Sequence, residues 1–140
     1  MVESMDKINL DAGYLPSELV DIVFKALPAN LTVIDENDEV LYFSNTPDRV
    51  FPRPVSIIGR NVEDCHPEKS LGKVEEIIES FKAGEHDVAE FWIQLEGRFI
   101  YIRYFALRDD DGSYRGIVEL TQDVTGIREL EGERRLASWG

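Results

Sequence analysis

The stretch DVAEFWIQLEGRFIYIRYFAL (Asp87–Leu107) predicts a β-hairpin from which the rest of the fold can be oriented. Two runs rich in β-branched and aromatic residues flank Glu96-Gly97, a dipeptide suited to a two-residue turn. With that turn, Leu95 pairs with Arg98, and every further pair follows by counting outward. Successive residues of a strand point to opposite sides, so the register divides the hairpin into two faces.

One face of this hairpin is apolar enough to form a core. Phe91 lies opposite Ile102 on it, and Ala89 lies opposite Tyr104. A core on this face implies helices packed above it.

The last predicted strand, YRGIVELTQDVT (Tyr114–Thr125), also alternates. We expect Val118 and Leu120 to point to the core, which leaves Ile117 and Glu119 on the other face.

The second face of the hairpin combines the charges of Glu90 and Arg103 with aromatic side chains. Its aromatic members are Trp92, Phe99, Tyr101 and Phe105. A solvated sheet face seldom carries so much aromatic surface, and such a patch usually marks a contact. We expect the N-terminal helix to cover part of it and a second chain to cover the rest, since one short helix cannot span five strands.

The segments outside the hairpin predict an α+β domain, with a five-stranded antiparallel sheet and helices on one face. Two further strands and a polar turn lie in Leu31–Ser44, and Asn45–Arg60 is loop. Helical spacing follows Pro16 and Pro67, and Gly84 suits a C-terminal cap. In the helix after Pro67, the apolar residues on one face are Leu71, Val74, Ile77, Ile78 and Phe81. We divide the chain into a lead-in and amphipathic helix at 1–28, a core domain at 29–125 and a C-terminal helix at 126–140. Residues 1–13 are expected to be a loose lead-in.

The composition excludes several classes of function. The net charge is -13, from 28 acidic and 15 basic residues, so the surface repels phosphate backbones and anionic lipid. Neither nucleic acid nor a membrane is an expected partner. One cysteine and no basic-flanked apolar N-terminal run predict a cytoplasmic location. No nucleophile with an orienting base can be assembled, so we expect no catalysis.

Cys65 and His66 are the residue pair with the strongest metal-binding chemistry, in NVEDCHPEKS. A thiolate and an imidazole could both ligate iron. Alternatively, Cys65 is a small buried hydrophobe and His66 ends the turn before the helix that Pro67 begins. A neighbouring pair is not a coordination set, so the structural role is favoured and no metal is expected.

The order of elements resembles a PAS domain. VIDENDEVLYFSN resembles the opening PAS hairpin, GRNVEDCHP resembles the short helix before the long one, and QDVT is similar to the Asp-Ile-Thr signature at the exit of PAS domains. Together with RVFPR, AEFWIQLEGRFIYIRYFALRD and TQDVTGIRELEGERRL, these motifs are similar to the PAS module of one uncharacterised prokaryotic family. That family also carries a hemerythrin-like domain and a domain of unknown function.

The resemblance implies specific roles for several residues. Asp123 and Thr125 match the signature positions that brace the junction with an outgoing signalling helix. A PAS cavity would lie between the sheet and the helices, and its candidate residues are Phe43, Phe51, Cys65, His66, Phe91, Ile102, Tyr104 and Gln122. Arg49 and Arg53 lie in the loop over that cavity, where an arginine could pair with a ligand carboxylate or, as easily, with one of the many acidic residues of this surface.

No cofactor is expected, although haem could use His66 or Cys65. Flavin photochemistry is disfavoured, because Gly59-Arg60-Asn61 is followed by valine where light-sensing PAS domains have the reactive cysteine. Gln122 alone matches a flavin-bonding position.

The sequence therefore predicts a non-catalytic, homodimeric PAS sensor and dimerisation module that responds to a small ligand or to redox state. The alternatives are a ligand-free interaction scaffold and a haem or iron redox sensor.

Overall fold

The computed structural model describes residues 6–64 and 68–137, with the backbone alone for residues 68–71. The described residues form strands, two α-helices and short 3-10 turns. In chain order the helices and strands are β1 (Lys7–Asn9), β2 (Tyr14–Pro16), α1 (Ser17–Ala26), β3 (Asn30–Asp35), β4 (Val40–Phe43), α2 (Glu68–Lys82), β5 (Val88–Leu95), β6 (Arg98–Arg108) and β7 (Tyr114–Asp123). The 3-10 turns lie at Val55–Ile57, Val62–Asp64 and Ile127–Glu129.

Strands β3 to β7 form one antiparallel five-stranded sheet in the order β4-β3-β7-β6-β5. Helix α2 packs against the inner face of this sheet, and the core lies between them. The predicted α+β fold is confirmed. The buried apolar residues are Ile34, Val40, Phe43, Ile57, Val62, Val74, Ile78, Phe81, Ile100, Ile102, Tyr104 and Ile117.

The β5–β6 hairpin has the predicted register throughout, from Leu95 opposite Arg98 to Val88 opposite Phe105. Its turn residues Glu96 and Gly97 have φ angles of 51° and 79°. Positive φ at both central residues is the mark of a type I′ turn, whose twist matches that of the flanking strands. The local chemistry of this turn therefore sets the register.

Helix α2 carries its apolar residues on the face that the sequence predicted. Val74, Ile78 and Phe81 are buried against the sheet. The helix ends at Lys82, and Gly84 follows it with a φ of 75°, which glycine adopts without strain. The Glu85 N–H donates to the carbonyl oxygen of Ser80 over 3.0 Å, which caps the last turn.

The predicted facing of β7 is wrong. Ile117 and Thr121 are buried on the inner face, whereas Val118 and Leu120 lie opposite Phe105 and Arg103 on the outer face. The reason is the register with β6, which pairs Thr121 with Ile102 of the core face. Residues paired directly across an antiparallel sheet share a face, so this pairing reverses every assignment in β7.

The N-terminal region differs from the predicted loose lead-in. Strands β1 and β2 pair as a small hairpin, with Ile8 opposite Leu15. Helix α1 follows and lies on the outer face of the sheet beside β4. The Phe24 ring is 5.6 Å from the Tyr42 ring, and the Tyr42 hydroxyl donates to Asp21 over 3.3 Å.

The predicted C-terminal helix of residues 126–140 is wrong for the part that the structure describes. Residues 126–137 contain the 3-10 turn Ile127–Glu129 and no α-helix. Leu130 and Leu136 are exposed, so no packed apolar face stabilises a helix there. Isolated short helices are marginal in water without such packing.

Candidate functional site

A small cavity lies between the inner face of the sheet, helix α2 and the loop that follows β4. Its volume is about 30 Å³, room for about two water molecules. Most of its wall is aliphatic, and Thr32, Arg53, Tyr104 and Glu119 bring polar groups to it. The aliphatic lining residues are Ile34, Val40, Ile57, Val62, Val74, Ile77, Ile78 and Ile117.

An ion pair lies in this apolar wall. An Arg53 Nη2 is 3.9 Å from a Glu119 Oε1, and the two side chains are only 15% and 13% exposed. The Thr121 hydroxyl donates to the other carboxylate oxygen of Glu119 over 3.2 Å. Removing two charges from water costs several kcal/mol per ion, and replacing such a pair with apolar residues is often neutral or stabilising. Stability alone therefore explains this pair poorly, and it is a candidate binding group.

Tyr104 adds a phenol to the same cavity. It lies directly opposite Glu119 across the β6–β7 ladder, and its ring stacks 6.2 Å from that of Phe91. Burial raises the pKa of Tyr104 well above its ordinary value, the charge of Glu119 raises it further, and Arg53 lowers it. The phenol is thus a neutral hydroxyl at physiological pH.

Arg49 holds the loop above the cavity in place. Its guanidinium donates to the carbonyl oxygens of Ser44 over 2.8 Å, Phe51 over 3.2 Å and Leu31 over 3.4 Å. Burial lowers the pKa of Arg49, and the nearby charge of Arg53 lowers it further. Two guanidinium groups and one carboxylate therefore leave a local positive excess in a chain whose net charge is -13.

The predicted cavity residues do not all line the cavity. Tyr104 lines the cavity, whereas Phe43 and Ile102 are buried in the core around it, and Phe51 packs against that core. Phe91 is 42% exposed, because β5 is the edge strand. The prediction that it lines the core is wrong.

Gln122 does not face the cavity, and its predicted place is wrong. It lies on the outer face, where its side-chain oxygen accepts a 2.7 Å hydrogen bond from Arg103. Cys65 and His66 lie outside the described residues. Within those residues, no group of three histidine, cysteine or acidic side chains could hold a metal ion.

Glu119 is a candidate site residue for which the sequence pattern predicted the wrong face. The polar alternation of Glu119 and Thr121 carries a signal, because two polar residues at a spacing of two share a face. That signal becomes decisive only after the register with β6 is known. The sequence predicted Arg53 as a loop residue over the cavity, but it did not predict the ion pair with Glu119.

The predicted exit residues form a clasp where β7 ends. The backbone N–H and hydroxyl of Thr125 donate to Asp123 Oδ1 over 3.0 and 2.6 Å. The Thr125 hydroxyl oxygen in turn accepts the Phe99 N–H over 2.9 Å. Arg128 then stacks 4.0 Å over the Phe99 ring. The clasp thus joins the end of β7 to the start of β6.

Asp123→Ala is expected to loosen this clasp and to lower the free energy of unfolding modestly, because a cap-like interaction is lost. Amide exchange should rise at Phe99 and stay unchanged at Ile102. Donors from Thr125 hold the pKa of Asp123 below its ordinary value. The contribution is therefore present at neutral pH and is lost as the pH falls through that lowered pKa.

A control for this variant is Asp111→Ala, which removes a similar bond to the Ser113 N–H in a distant turn. It should leave exchange at Phe99 unchanged. Equal exchange at Phe99 and Ile102 in Asp123→Ala would contradict a local role for the clasp.

The four aromatic residues predicted on the outer face do lie there, with Arg103 between two of their rings. The Arg103 guanidinium is 4.6 Å from the Tyr101 ring and 5.6 Å from the Phe105 ring. Trp92 is 59% exposed, since α1 lies at the β4 end of the same face. Phe99 is partly covered by Arg128. The apolar surface around β5 is therefore open.

Comparison with known proteins agrees with this architecture. The profile of a family described as PAS domain matches residues 20–125. The C-terminal domain of a Streptococcus mutans protein superimposes with a TM-score of 0.85 at 34% identity, over 91% of this chain and 99% of that one. No curated protein matches in sequence.

More distant solved structures share the fold. The PAS domain of BvgS from Bordetella pertussis has a TM-score of 0.57 at 17% identity, over 78% of this chain and 86% of that one. A sensory box sensor histidine kinase from Vibrio cholerae has a TM-score of 0.55 at 13% identity, over 78% and 91%. In the described residues, no helix is long and apolar enough to cross a membrane. The sheet order, the exit clasp and the profile match together place this chain in the PAS domain family.

Proposed function

We propose that this chain is a non-catalytic sensor and self-association module of a signalling or regulatory protein, and that it responds to a small ligand in the cavity beneath the β4–α2 loop. The observation that carries the proposal is the Arg53–Glu119 pair, largely buried in an aliphatic wall. A charged pair in the apolar wall of a cavity, which stability alone explains poorly, supports a ligand-binding role.

The charges at the site favour a small carboxylate as the ligand. Arg49 and Arg53 outnumber Glu119, and a guanidinium can hold a carboxylate through two parallel hydrogen bonds. The Arg53–Glu119 separation of 3.9 Å is longer than a charge-assisted hydrogen bond, so a ligand carboxylate could approach the Arg53 guanidinium more closely than Glu119 does. A cavity of about 30 Å³ requires that the loop carrying Arg53 move when a ligand enters.

The route from cavity to exit runs along β7. Glu119 lines the cavity, the Thr121 hydroxyl donates to the Glu119 carboxylate, and Asp123 follows on the same strand. A ligand that binds Arg53 in place of Glu119 breaks the Arg53–Glu119 ion pair. The Glu119 carboxylate, which accepts from Thr121 next to the exit clasp, is then free to rearrange. Such a ligand would shift the population of two arrangements of β7 by its difference in affinity for them.

The main alternative is a ligand-free interaction scaffold, and the small cavity volume favours it. The haem or iron alternative through His66 or Cys65 stays a prediction, as do the cytoplasmic location and the relationship to the hemerythrin-associated family. The proposed self-association uses the open apolar surface around Trp92.

The ligand proposal is tested with two variants that differ only at residue 53. Glu119→Gln keeps the shape of the side chain and leaves Arg53 without its competing carboxylate, so it should bind acetate or propionate at least as tightly as the wild type. The double variant Arg53→Met/Glu119→Gln should bind at least tenfold more weakly. Titration calorimetry measures both affinities, and native mass spectrometry with an absorption spectrum detects a co-purified ligand, haem or flavin.

Arg60→Met is the control, since Arg60 is a surface residue paired with Asp64 and should leave the affinity unchanged. If Glu119→Gln and Arg53→Met/Glu119→Gln bound acetate or propionate with equal affinity, a role for Arg53 would be contradicted. No binding at 10 mM acetate or propionate (roughly the weakest affinity of a small-molecule site), together with no bound mass, would favour the scaffold.

A further inference from the structure

The two edges of the sheet are protected very differently. Strand β4 has four residues, and the pairing of β3 with it shifts register between Val33 and Ile34. Strand β5 has eight residues, pairs with β6 in an unbroken register and contains no proline, lysine or arginine. Short length, irregular pairing, proline and lysine are the usual means of preventing edge-to-edge association. Strand β5 has none of them.

The register of the hairpin determines which backbone groups of β5 are free. Leu95 and Arg98 flank a two-residue turn, so they exchange both of their hydrogen bonds, and such pairs then alternate along the ladder. The bond from the Ala106 N–H to the Asp87 carbonyl oxygen, 2.9 Å, agrees with this alternation. The N–H and C=O groups that point to the open edge are those of Val88, Glu90, Trp92 and Gln94.

Both faces of this strand also carry exposed apolar side chains. On the inner face Phe91 is 42% and Ile93 36% exposed, and on the outer face Trp92 is 59% exposed. A groove of about 340 Å³ lies between α2 and the start of β5. Its lining mixes apolar Ile77, Phe81, Val88 and Ala89 with polar Glu76, Ser80, Glu85 and His86. An added strand would satisfy the free backbone groups and cover both apolar faces at once.

The sequence of β5 is complementary to itself in one antiparallel register. With Trp92 on a two-fold axis, Phe91 lies opposite Ile93 of the second copy, and Glu90 lies opposite Gln94 of the second copy. Apolar side chains then meet apolar ones, and each carboxylate meets an amide that can donate to it. A shift that centres Glu90 instead would set two carboxylates directly opposite each other, which is destabilising.

We propose that β5 pairs with β5 of a second copy in this register, so that two five-stranded sheets become one continuous sheet. The proposal rests on the proposed self-association and names its geometry. It requires residues with even numbers, whose backbone groups are free, to form the hydrogen-bonded pairs across the axis.

Glu90→Pro tests the pairing, because it removes an N–H that points to the open edge and none that bonds to β6. Glu90→Ala is the matched control, since it loses the same carboxylate and keeps the N–H. In sedimentation equilibrium, Glu90→Pro should weaken the dimer at least tenfold, whereas Glu90→Ala should keep it or strengthen it. Dimers of equal strength in the two variants would overturn the edge pairing and leave self-association intact. A wild type that is monomeric at 1 mM (about 4 kcal/mol of association free energy) would overturn both.

Disulfide crosslinking determines the register between the two β5 strands, and it does not depend on whether Glu90→Pro folds. Phe91→Cys and Ile93→Cys chains, each with Cys65→Ser, should form a mixed disulfide on oxidation, because directly opposite residues of a non-hydrogen-bonded pair are about 4.5 Å apart at Cα. Each variant alone should crosslink at least tenfold less. Crosslinking of Phe91→Cys with itself would overturn the proposed register.

The salt dependence of self-association tests whether two copies of the same net charge pair with each other. Two chains of net charge -13 repel each other, so the dimer should strengthen between 50 and 500 mM NaCl (about 14 and 4 Å of screening length). Association that weakens with salt would indicate that the two copies meet through oppositely charged surfaces, and it would overturn the proposed β5 pairing.

Discussion

Gly116→Ala is expected to lower the free energy of unfolding by at least about 4 kcal/mol, a size that marks a specific structural conflict. Gly116 lies in β7 opposite Asp35 of β3, with a φ of 141° that side chains rarely adopt. A Cβ atom at this position would be 2.1 Å from the Ile34 carbonyl oxygen. Because that atom belongs to the backbone of β3, relief requires separation of two central strands. Urea unfolding followed by tryptophan fluorescence measures the change.

Gly112→Ala is the control for this prediction. Gly112 also has a positive φ, 88°, but a Cβ atom there would meet no atom within 4 Å. Only the conformational cost of alanine at that angle applies, on the order of 1 kcal/mol. If the two alanine variants were equally stable, the close approach of β3 and β7 at Gly116 would be contradicted.

Arg49→Met is expected to lower the free energy of unfolding by about 3 kcal/mol, more than a single hydrogen bond contributes. The substitution keeps much of the apolar stem but removes the donors to the Ser44, Leu31 and Phe51 carbonyl oxygens. Ser44 is fully buried, so its carbonyl group loses a charged partner that water replaces poorly. Stacking of the guanidinium 5.2 Å over the Phe43 ring is lost as well. Urea unfolding gives the magnitude.

The matched control is Arg60→Met, since the Arg60 side chain is 56% exposed and makes a 3.7 Å ion pair with Asp64. Exposed pairs of this kind contribute about 0–1 kcal/mol. A loss in Arg49→Met no larger than that in Arg60→Met would mean that the β4–α2 loop is held in place by other contacts.

The contrast between the two loop arginines is informative about function. Arg49 donates to backbone carbonyls and orders the loop, whereas Arg53 lies beside a carboxylate in the cavity wall. Both occur in DRVFPRP, and nothing in that stretch distinguishes their roles. The distinction arises because the loop folds back over β3 and brings only Arg53 to the inner face of β7.

Local patterns predicted much of the fold. The Glu96-Gly97 turn and the alternation around it predicted all of the β5–β6 register, because turn geometry and side-chain period act within a few residues. The apolar spacing of Val74, Ile78 and Phe81 predicted the buried face of α2 for the same reason. The exit residues Asp123 and Thr125 were predicted by resemblance, and their mutual hydrogen bonds are also local.

The β1–β2 hairpin is a local feature that the sequence analysis missed. The other failures concern contacts between segments that are distant in the chain. Val118 and Leu120 look like core residues, but the pairing of β7 with β6 turns Glu119 inward. Phe91 has the period of a core residue, yet its place at the sheet edge leaves it exposed. The C-terminal segment has helical composition but no surface to pack against within the described residues.

Sequence alone thus established the five strands of the main sheet, the two α-helices and the hairpin register, because each depends on backbone preferences and side-chain spacing over a short stretch. The exit residues followed from the family resemblance. Only the assembled sheet determined the strand order and the β6–β7 register. The burial of Glu119 follows from that register, and the exposure of β5 follows from its place at the sheet edge. The physical reason is that a shift of one residue between paired strands exchanges the two faces while leaving every local preference satisfied. Only the joint packing of α2, the β4–α2 loop and all five strands selects between those arrangements.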